Sequence, residues 1–581
     1  MAVERQDRRT TFASFRIALT DQALLQQLQL LKALAQEAGW RHLMLQSMLS
    51  VVSSLLDIAG LGLAISLLLN SGTESAASPT LLKGLPLSSS LALLVSLILA
   101  RGLIQARVAI SREWLRSGFT DRLRQQLLHE VFSASSRQLD RLGRGDLLAL
   151  LMADITRSAM SLDQALRMVQ ALLAMLIYLI SVLFVGRTAA WPLLLALAAT
   201  AGAALLRRSG SWGLGRIQSR LNAALQRTVG DGLHGLKALR AAAAEDWLLN
   251  RFAQETAKGR WLLKERVRRR AGYNAWRDTL VVAIAGIWML RQGDALTAEV
   301  LATTLVLSYR AGTSLSAVVL ARRLCLGNLP GYEALRERRH QLRSNPAQTS
   351  GTPLSEHSLP RLELERWSQL HWQSTDPEAL EPTSISLQPQ RLVVITGASG
   401  CGKTKLLDRF SGLGDEENSC WSIHCHEQTL RLSGLPAAQQ LRGLIACAPQ
   451  HAVLLEASLR DNLLLGADLP DQIIEEWLHR LGLSHLLDRQ DGLSSPMSLA
   501  QMPFSGGELH RLGLLRAWLR SRPVEVLDEP TAFLDASASQ IVRDVIHERS
   551  RERLVLISSH DPALLKQADV VIELASAVIK I

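Results

Sequence analysis

Gly397-Ala398-Ser399-Gly400-Cys401-Gly402-Lys403-Thr404 is the stretch on which the reading of this chain turns. It fits G-x-x-x-x-G-K-[ST], the phosphate-binding P-loop. Arg391-Leu-Val-Val-Ile-Thr396, just before it, is short, apolar and rich in β-branched residues, which predicts a buried strand. Lys405-Leu-Leu-Asp-Arg-Phe410, just after it, predicts the first turns of a helix. Glycines let such a loop wrap closely, so that backbone N–H groups face phosphate oxygens. The helix N-terminus adds the positive end of a dipole. Lys403 is predicted to reach the β- and γ-phosphates, and the Thr404 hydroxyl to sit on Mg²⁺. The expected ligand is a nucleoside triphosphate.

Outward from this loop, composition changes along the chain. The 581 residues allow several domains, and the apolar residues are concentrated in the first part. The net charge of +11 suits either nucleic acid or a cytoplasmic membrane face. The arginines lie between apolar runs, which favours the membrane. A soluble P-loop ATPase acting on nucleic acid is inconsistent with those runs, so no nucleic-acid partner is expected. Four of the five cysteines fall at 401, 420, 425 and 447, in a domain expected to be cytosolic, and they read as reduced thiols. Cys420 and Cys425, flanked by His424 and His426, do not have standard zinc spacing and read as part of a plain loop.

Residues 1–43 predict a basic, partly amphipathic lead-in, with Leu24, Leu25, Leu28, Leu31 and Leu34 near helical spacing. A membrane span needs about 20 mainly apolar residues. Six stretches qualify between 44 and 327: Met44–Leu69, Leu85–Ile110, Val169–Val185, Ala189–Leu206, Thr279–Leu290 extended back to Tyr273, and Val300–Leu320. Segments 101–168 and 207–277 are rich in arginine, including Arg268-Arg269-Arg270, whereas the other connections are nearly free of it. Positive segments stay inside, so both termini are expected in the cytoplasm. The two inner segments are long enough to carry paired helices beyond the bilayer, with a short helix at the tip. Residues 328–360, with Asn345-Pro-Ala-Gln-Thr-Ser-Gly-Thr-Pro353, predict a linker. From 361 to 581 short strand and helix patterns alternate, which predicts an α/β domain on the P-loop. The expected fold is thus an all-α six-helix transmembrane domain followed by an α/β P-loop ATPase domain.

Val524-Glu-Val-Leu-Asp-Glu529 predicts a strand ending in two carboxylates. Asp528 would hold Mg²⁺ and Glu529 would polarise the attacking water. Before it lies Phe504-Ser505-Gly506-Gly507-Glu508, opening a helical pattern. At these residues the chain resembles the ATP-binding cassette (ABC) exporter family. Ser505-Gly506-Gly507 is similar to the family signature, which closes on the γ-phosphate of ATP held by the opposite subunit. The usual form begins with Leu and ends with Gln, where this chain has Phe504 and Glu508. Pro449-Gln450 resembles the Q-loop, whose Gln meets Mg²⁺. Ala532-Phe533-Leu534-Asp535 resembles the D-loop, and His560 resembles the switch histidine. Trp372 resembles the aromatic residue that stacks on adenine, with Trp367 as a rival.

The resemblance continues in the first part, in Gly143–Thr156 and in Leu233–Thr256 with Ala244-Glu-Asp-Trp247. Two stretches depart from it. Ser411–Leu441 is unlike the family's strand pair, and Ser494–Pro503 lacks the family's acidic-glycine run. The resemblance implies a half-size exporter that binds ATP and Mg²⁺ and works as a dimer, with a homodimer holding two complete sites. It implies a multi-pass location, in a bacterial inner membrane if the Leu-, Ala- and Arg-rich composition is a guide to source. An amphipathic substrate is expected, whether lipid, lipid-linked glycan or hydrophobic small molecule. The alternatives are peptide export and a membrane ATPase that regulates a partner without pumping. Asp57 and Arg310, inside predicted spans, are candidate pathway residues.

Overall fold

The computed structural model describes residues 21–70, 87–186, 211–257, 298–343, 367–374, 384–414, 418–425, 428–489, 491–497 and 504–574, with isolated positions between 191 and 198 and between 259 and 288. The chain divides into two compact units. The first comprises 1–133 and 142–343, and the second comprises 134–141 and 344–581.

The first unit is helical. Its elements are α1 (Asp21–Ala38), α2 (Trp40–Asn70) and α3 (Leu87–Ser133), then, after the segment carrying α4 (Ser136–Leu142), α5 (Arg144–Ala149), a π-turn at Leu150–Asp154, α6 (Ile155–Gly186), α7 (Ser211–His234), α8 (Leu236–Ala241) and α9 (Ala298–Arg343). Among the described residues, Trp40–Leu68, Ser88–Ser133, Gly145–Val185 and Val300–Arg343 are long and apolar enough to cross a membrane. Four predicted spans lie on these helices. The other two, Ala189–Leu206 and Thr279–Leu290, fall almost entirely outside the described residues.

At 47 residues, α3 is about 70 Å long, more than twice the roughly 30 Å hydrocarbon core. The predicted linker at 328–360 is corrected at its start. Helix α9 runs unbroken through 328–343, with Pro330 inside it. Arg157 donates to the Gly327 and Gly215 carbonyls, each at 3.1 Å. A Cβ on Gly215 would collide with the Gly327 carbonyl, so α7 and α9 need glycine at this crossing. Helix α1 is pinned by Glu37, which pairs with Arg339 at 2.7 Å and accepts from Tyr332 at 2.8 Å. Leu34 is buried, while Leu25 and Leu28 remain exposed.

The second unit is α/β. Its elements are β1 (Trp367–Ser374), β2 (Ser384–Leu387), β3 (Leu392–Gly397), α10 (Lys403–Phe410), β4 (Ser419–Cys425), β5 (Gln428–Ser433), α11 (Gly434–Leu441), β6 (Ile445–Ala448), β7 (Ala457–Ser458), α12 (Leu459–Leu464), α13 (Asp471–Arg480), β8 (Pro496–Met497), α14 (Gly506–Leu519), β9 (Val524–Asp528), α15 (Ala536–Ser550), β10 (Leu554–Ser558), α16 (Pro562–Gln567) and β11 (Val570–Leu574), with α4 clustering here as well. A parallel five-stranded sheet has the order β11-β3-β10-β9-β6. Its central strands are buried along nearly their whole length, as unbroken apolar runs require in a sheet covered on both faces.

An antiparallel sheet of order β2-β1-β4-β5 packs through Trp367, Leu370, Trp372, Trp421 and Ile423 onto the core under Val393 and Ile395. Ser411–Leu441, read from sequence as departing from the family's strand pair, contains the paired strands β4 and β5. Cys420 and Cys425 are thus strand residues, not loop residues. No group of three or more His, Cys, Asp or Glu among the described residues is placed to hold a metal ion.

Candidate functional site

The nucleotide site assembles at the C-terminal ends of β3, β9 and β10, where parallel strands release their chains into loops. Gly397, Gly400 and Gly402 all have positive φ, at 153°, 82° and 101°. Nothing lies within 4 Å of a Cβ built on Gly400 or Gly402, so the loop encloses open space. At Gly397 the same atom would press on the Leu574 carbonyl at 2.7 Å and on Cys401 Sγ at 2.8 Å. A side chain there would push β3 from β11. Ala398 and Ser399 complete the turn before α10.

Lys403 is buried, and its Nζ donates to the Gly397 and Ala398 carbonyls at 3.0 and 3.3 Å. It also lies 2.7 Å from His560 Nε2. An ammonium has no lone pair, so Nε2 accepts and the ring proton sits on Nδ1. Thr404 Oγ1 donates to Asp528 Oδ2 at 2.8 Å. The Gln450 amide donates to Glu529 Oε2 at 2.9 Å. The residues predicted from separate motifs therefore meet as bonded pairs: Lys403 with His560, Thr404 with Asp528, and Gln450 with Glu529.

Sequence reading missed Ser558. This fully buried residue ends β10 in register with Asp528. Its hydroxyl donates to Asp528 Oδ1 and accepts from the Glu529 N–H at 2.9 Å. Its carbonyl accepts from the same N–H at 3.1 Å. Glu529 has φ of +48°, unusual for a residue with a side chain, and Ser558 holds that turn in place. The available signal was positional, a hydroxyl at the end of the strand that precedes His560. On the floor of the site, Asp408 is pushed above the ordinary carboxylate range by burial and then by the charge of Asp528.

The signature residues open α14. Ser505 is its N-cap, and Gly506 and Gly507 form its first turn. Glu508 completes a capping box. Its backbone N–H donates to Ser505 Oγ at 3.2 Å, and its carboxylate accepts from the Ser505 N–H at 2.8 Å. Its other oxygen lies 2.9 Å from His485 Nε2. Burial pushes the Glu508 carboxyl up, but the Ser505 contacts and His485 outweigh it and leave it below its ordinary value. The Glu508 charge, which replaces the family's Gln, is therefore turned back onto the helix cap. Phe533 is exposed at φ +63°, within 6.2 Å of the His451 and His510 rings. Asp535 caps α15 through Ala538 N at 2.7 Å. Of Ser494–Pro503, residues 498–503 lie outside the described residues, and β8 pairs with β7.

Trp372 is a correction. It is fully buried, opposite Trp421 and Ile385 on the inner face of the antiparallel sheet. It cannot offer a ring face to adenine without dismantling that core. Trp367 is buried in the same layer. Period-two alternation places both on the core side.

A P-loop with open glycines, a lysine, a threonine–aspartate pair, and a glutamate held by a glutamine define a nucleoside-triphosphatase domain. Residues 380–532 match the family model described as ABC transporter, so the second unit is an ABC transporter domain. The chain is 34% identical over 195 residues to the glutathione/L-cysteine transport system ATP-binding/permease protein CydC of Escherichia coli, covering 33% of each. It is 33% identical over 198 residues to the ATP-dependent lipid A-core flippase of a Polaromonas species, covering 33% of this chain and 32% of that one. The match thus spans about a third of the length of these curated relatives. The solved structure of a bacterial Atm1-family ABC exporter with ATP bound aligns over 94% of this chain and 95% of that one, at TM-score 0.70 and 16% identity. The fold of the whole chain is therefore that of an ABC exporter.

Proposed function

We propose that this chain is an ATP-driven half-exporter that works as a dimer in a membrane and moves an amphipathic substrate. The observation that carries it is the joining of Lys403, Thr404, Gln450, Asp528, Glu529 and His560 into one bonded site, in a chain whose other unit supplies helices long and apolar enough to cross a bilayer. The site fits ATP. The open loop takes the phosphates on backbone N–H groups, and Lys403 exchanges its loop carbonyls for β- and γ-phosphate oxygens. That exchange frees His560 Nε2. The Thr404 hydroxyl and the Asp528 carboxylate are hard oxygen donors suited to Mg²⁺, which would neutralise charge on the phosphates. Glu529 orients and deprotonates the attacking water, and Gln450 holds it in line.

The second chain would be another copy. This chain carries both a P-loop and a signature helix, so a homodimer has two complete sites. Both termini would lie in the cytoplasm of a bacterium, with six spans. Of the relatives named above, the lipid A-core flippase suits the amphipathic reading, whereas the glutathione/L-cysteine transport system points to a polar cargo. The test is ATP turnover by the full chain in lipid nanodiscs, beside Glu529→Gln. The wild type is expected to hydrolyse ATP. The variant should lose about 10²–10⁴-fold in rate while still binding ATP and dimerising. Equal turnover by the two would remove Glu529 from the mechanism, and a wild type that binds ATP without hydrolysis would favour the regulatory alternative.

A further inference from the structure

Four helices of the first unit meet at one carboxylate. Asp57 of α2 is 3% exposed. It pairs with Arg101 of α3 at 2.5 Å, stands 3.8 Å from Arg310 Nε of α9, and accepts from the Tyr178 hydroxyl of α6. Measured along the helices at 1.5 Å per residue, Asp57 lies about 20 Å from the end at 70, Arg101 about 21 Å from 87, Tyr178 about 12 Å from 186 and Arg310 about 18 Å from 298. All four depths fall within a hydrocarbon core of roughly 30 Å. The cluster therefore sits where charge is costly and where ionisable groups belong to a cavity or pathway.

Among the described residues its charges do not balance. Two guanidinium groups face one carboxylate, and the phenol adds none. Arg101 Nε is buried without an acceptor among the described residues. Arg310 touches Asp57 only at the edge of ion-pair range, and its side chain is 36% exposed. On a different face of α9 from Arg310, the hydroxyls of Thr304 and Ser308 are buried with no partner among the described residues. Thr304 and Ser308 share a helix face with Leu307 and Ala311, which pack on Tyr178 and Val182. Among the described residues, surplus positive charge set beside apolar side chains calls for a ligand with an anionic head and an apolar body.

We propose that Arg101 and Arg310 bind the anionic head group of the transported amphiphile, with Asp57 as the internal counter-ion that holds both arginines when the site is empty. This deepens the export reading and rests on it for the word "transported", but the binding itself is measured without ATP. In the resting state Asp57 keeps the guanidinium groups from facing hydrocarbon unpaired. An incoming phosphate or carboxylate takes donors from Arg310 first, because Arg310 is the more exposed and the less tightly held.

The test titrates the full chain in phosphatidylcholine nanodiscs with dodecyl phosphate, dodecanoate and inorganic phosphate. Dodecyltrimethylammonium and dodecyl maltoside are the cationic and neutral controls. At least one of the two anionic amphiphiles should bind about tenfold or more tightly than either control, and the better of the two identifies the head group. Arg310→Gln should weaken that binding by about tenfold, Arg310→Lys should stay within about threefold of the wild type, and Asp57→Asn should tighten it. Asp57→Asn and Arg310→Lys keep the test open should Arg310→Gln fold poorly. Anion binding no tighter than that of the maltoside overturns the proposal, as does binding unchanged in both Arg310→Gln and Asp57→Asn. Inorganic phosphate binding as tightly as dodecyl phosphate overturns its amphipathic part. If binding follows the expected order while no amphiphile changes ATP turnover, the site stands and the export reading fails.

Discussion

Both units of this protein bury a carboxylate between two arginines, Asp57 in the first and Glu525 in the second, and these two triads are finished differently. In the ABC domain, Glu525 lies inside β9 at 0% exposure. Arg549 grips both its oxygens at 2.8 and 2.9 Å and also donates to the Trp518 carbonyl. Arg553 stands 3.6 Å away and is held as well by the Arg522 carbonyl and Ser521. Burial pushes Glu525 up, while Arg549 and then Arg553 pull it down, and the carboxyl remains above its ordinary value. The arginines are 12% and 13% exposed, against 27% and 36% for Arg101 and Arg310 around Asp57. The Glu525 triad is held by more protein acceptors and is less exposed, although Arg553 Nε, like Arg101 Nε, is buried without a partner among the described residues. The Asp57 triad leaves its donors available. A carboxylate between two arginines is thus a lock in one place and a docking point in the other, and the remaining hydrogen-bond partners decide which.

Breaking the Glu525 triad should have the largest effect. Arg549→Ala leaves Glu525 buried with a distant partner and should cost about 3–5 kcal/mol in the stability of the ABC domain, read by denaturant unfolding. A loss below about 1 kcal/mol would mean that the two triads are alike. Arg310→Gln, at the open triad, should change unfolding by no more than about 1 kcal/mol, since its ion pair is long and partly exposed. A smaller loss, about 1 kcal/mol, is expected from Glu508→Ala, which removes half of the capping box at the signature. The wild-type cap should weaken as pH falls. The Glu508 carboxyl is depressed in the folded state, so its contribution is complete above about pH 4.5 and is lost as pH falls through the folded value.

The smallest effect concerns His510, which donates to or accepts from nothing charged and meets the Pro530 carbonyl at 3.1 Å. Burial lowers its affinity for a proton. The unfolded ring protonates near pH 6.5 and the folded ring only at lower pH, so stability falls as pH drops below about 6.5. Melting of His510→Gln across pH 7.5 to 5.5 should show a flatter profile than that of the wild type.

Much of the candidate site was legible because its residues are tied to strand ends. A P-loop must follow a buried strand, and a carboxylate pair after an apolar run marks a neighbouring one. The motifs at Lys403, Asp528 and Glu529 could therefore be placed from local pattern, and His560 from the family resemblance. Trp372 was misread for a related reason. Spacing from the P-loop gave its distance along the chain but not its face, and alternation with Leu370 puts it inward. Ser558 escaped because a serine at a strand end carries no pattern until its register with Asp528 is known. The capping box of Ser505 and Glu508 was overlooked although its S-x-x-E spacing is written in the sequence, because these residues were read for the family signature. In the first unit, sequence located Asp57 and Arg310 but not Arg101 or Tyr178 as their partners, since pairing across four helices depends on rotation about each axis.

Residues 134–141 carry a practical consequence. They cluster with the ABC domain although more than 200 residues separate them from the rest of it, and the Ser136 hydroxyl donates to the Leu413 carbonyl. The domain is therefore not a contiguous module. Expressing 344–581 alone leaves out a piece of its own surface. A chimera that exchanges this domain for a relative's at the 344 boundary would inherit a foreign fit at Leu413. Transplanting the eight residues together with the domain is the conservative way to recombine such chains.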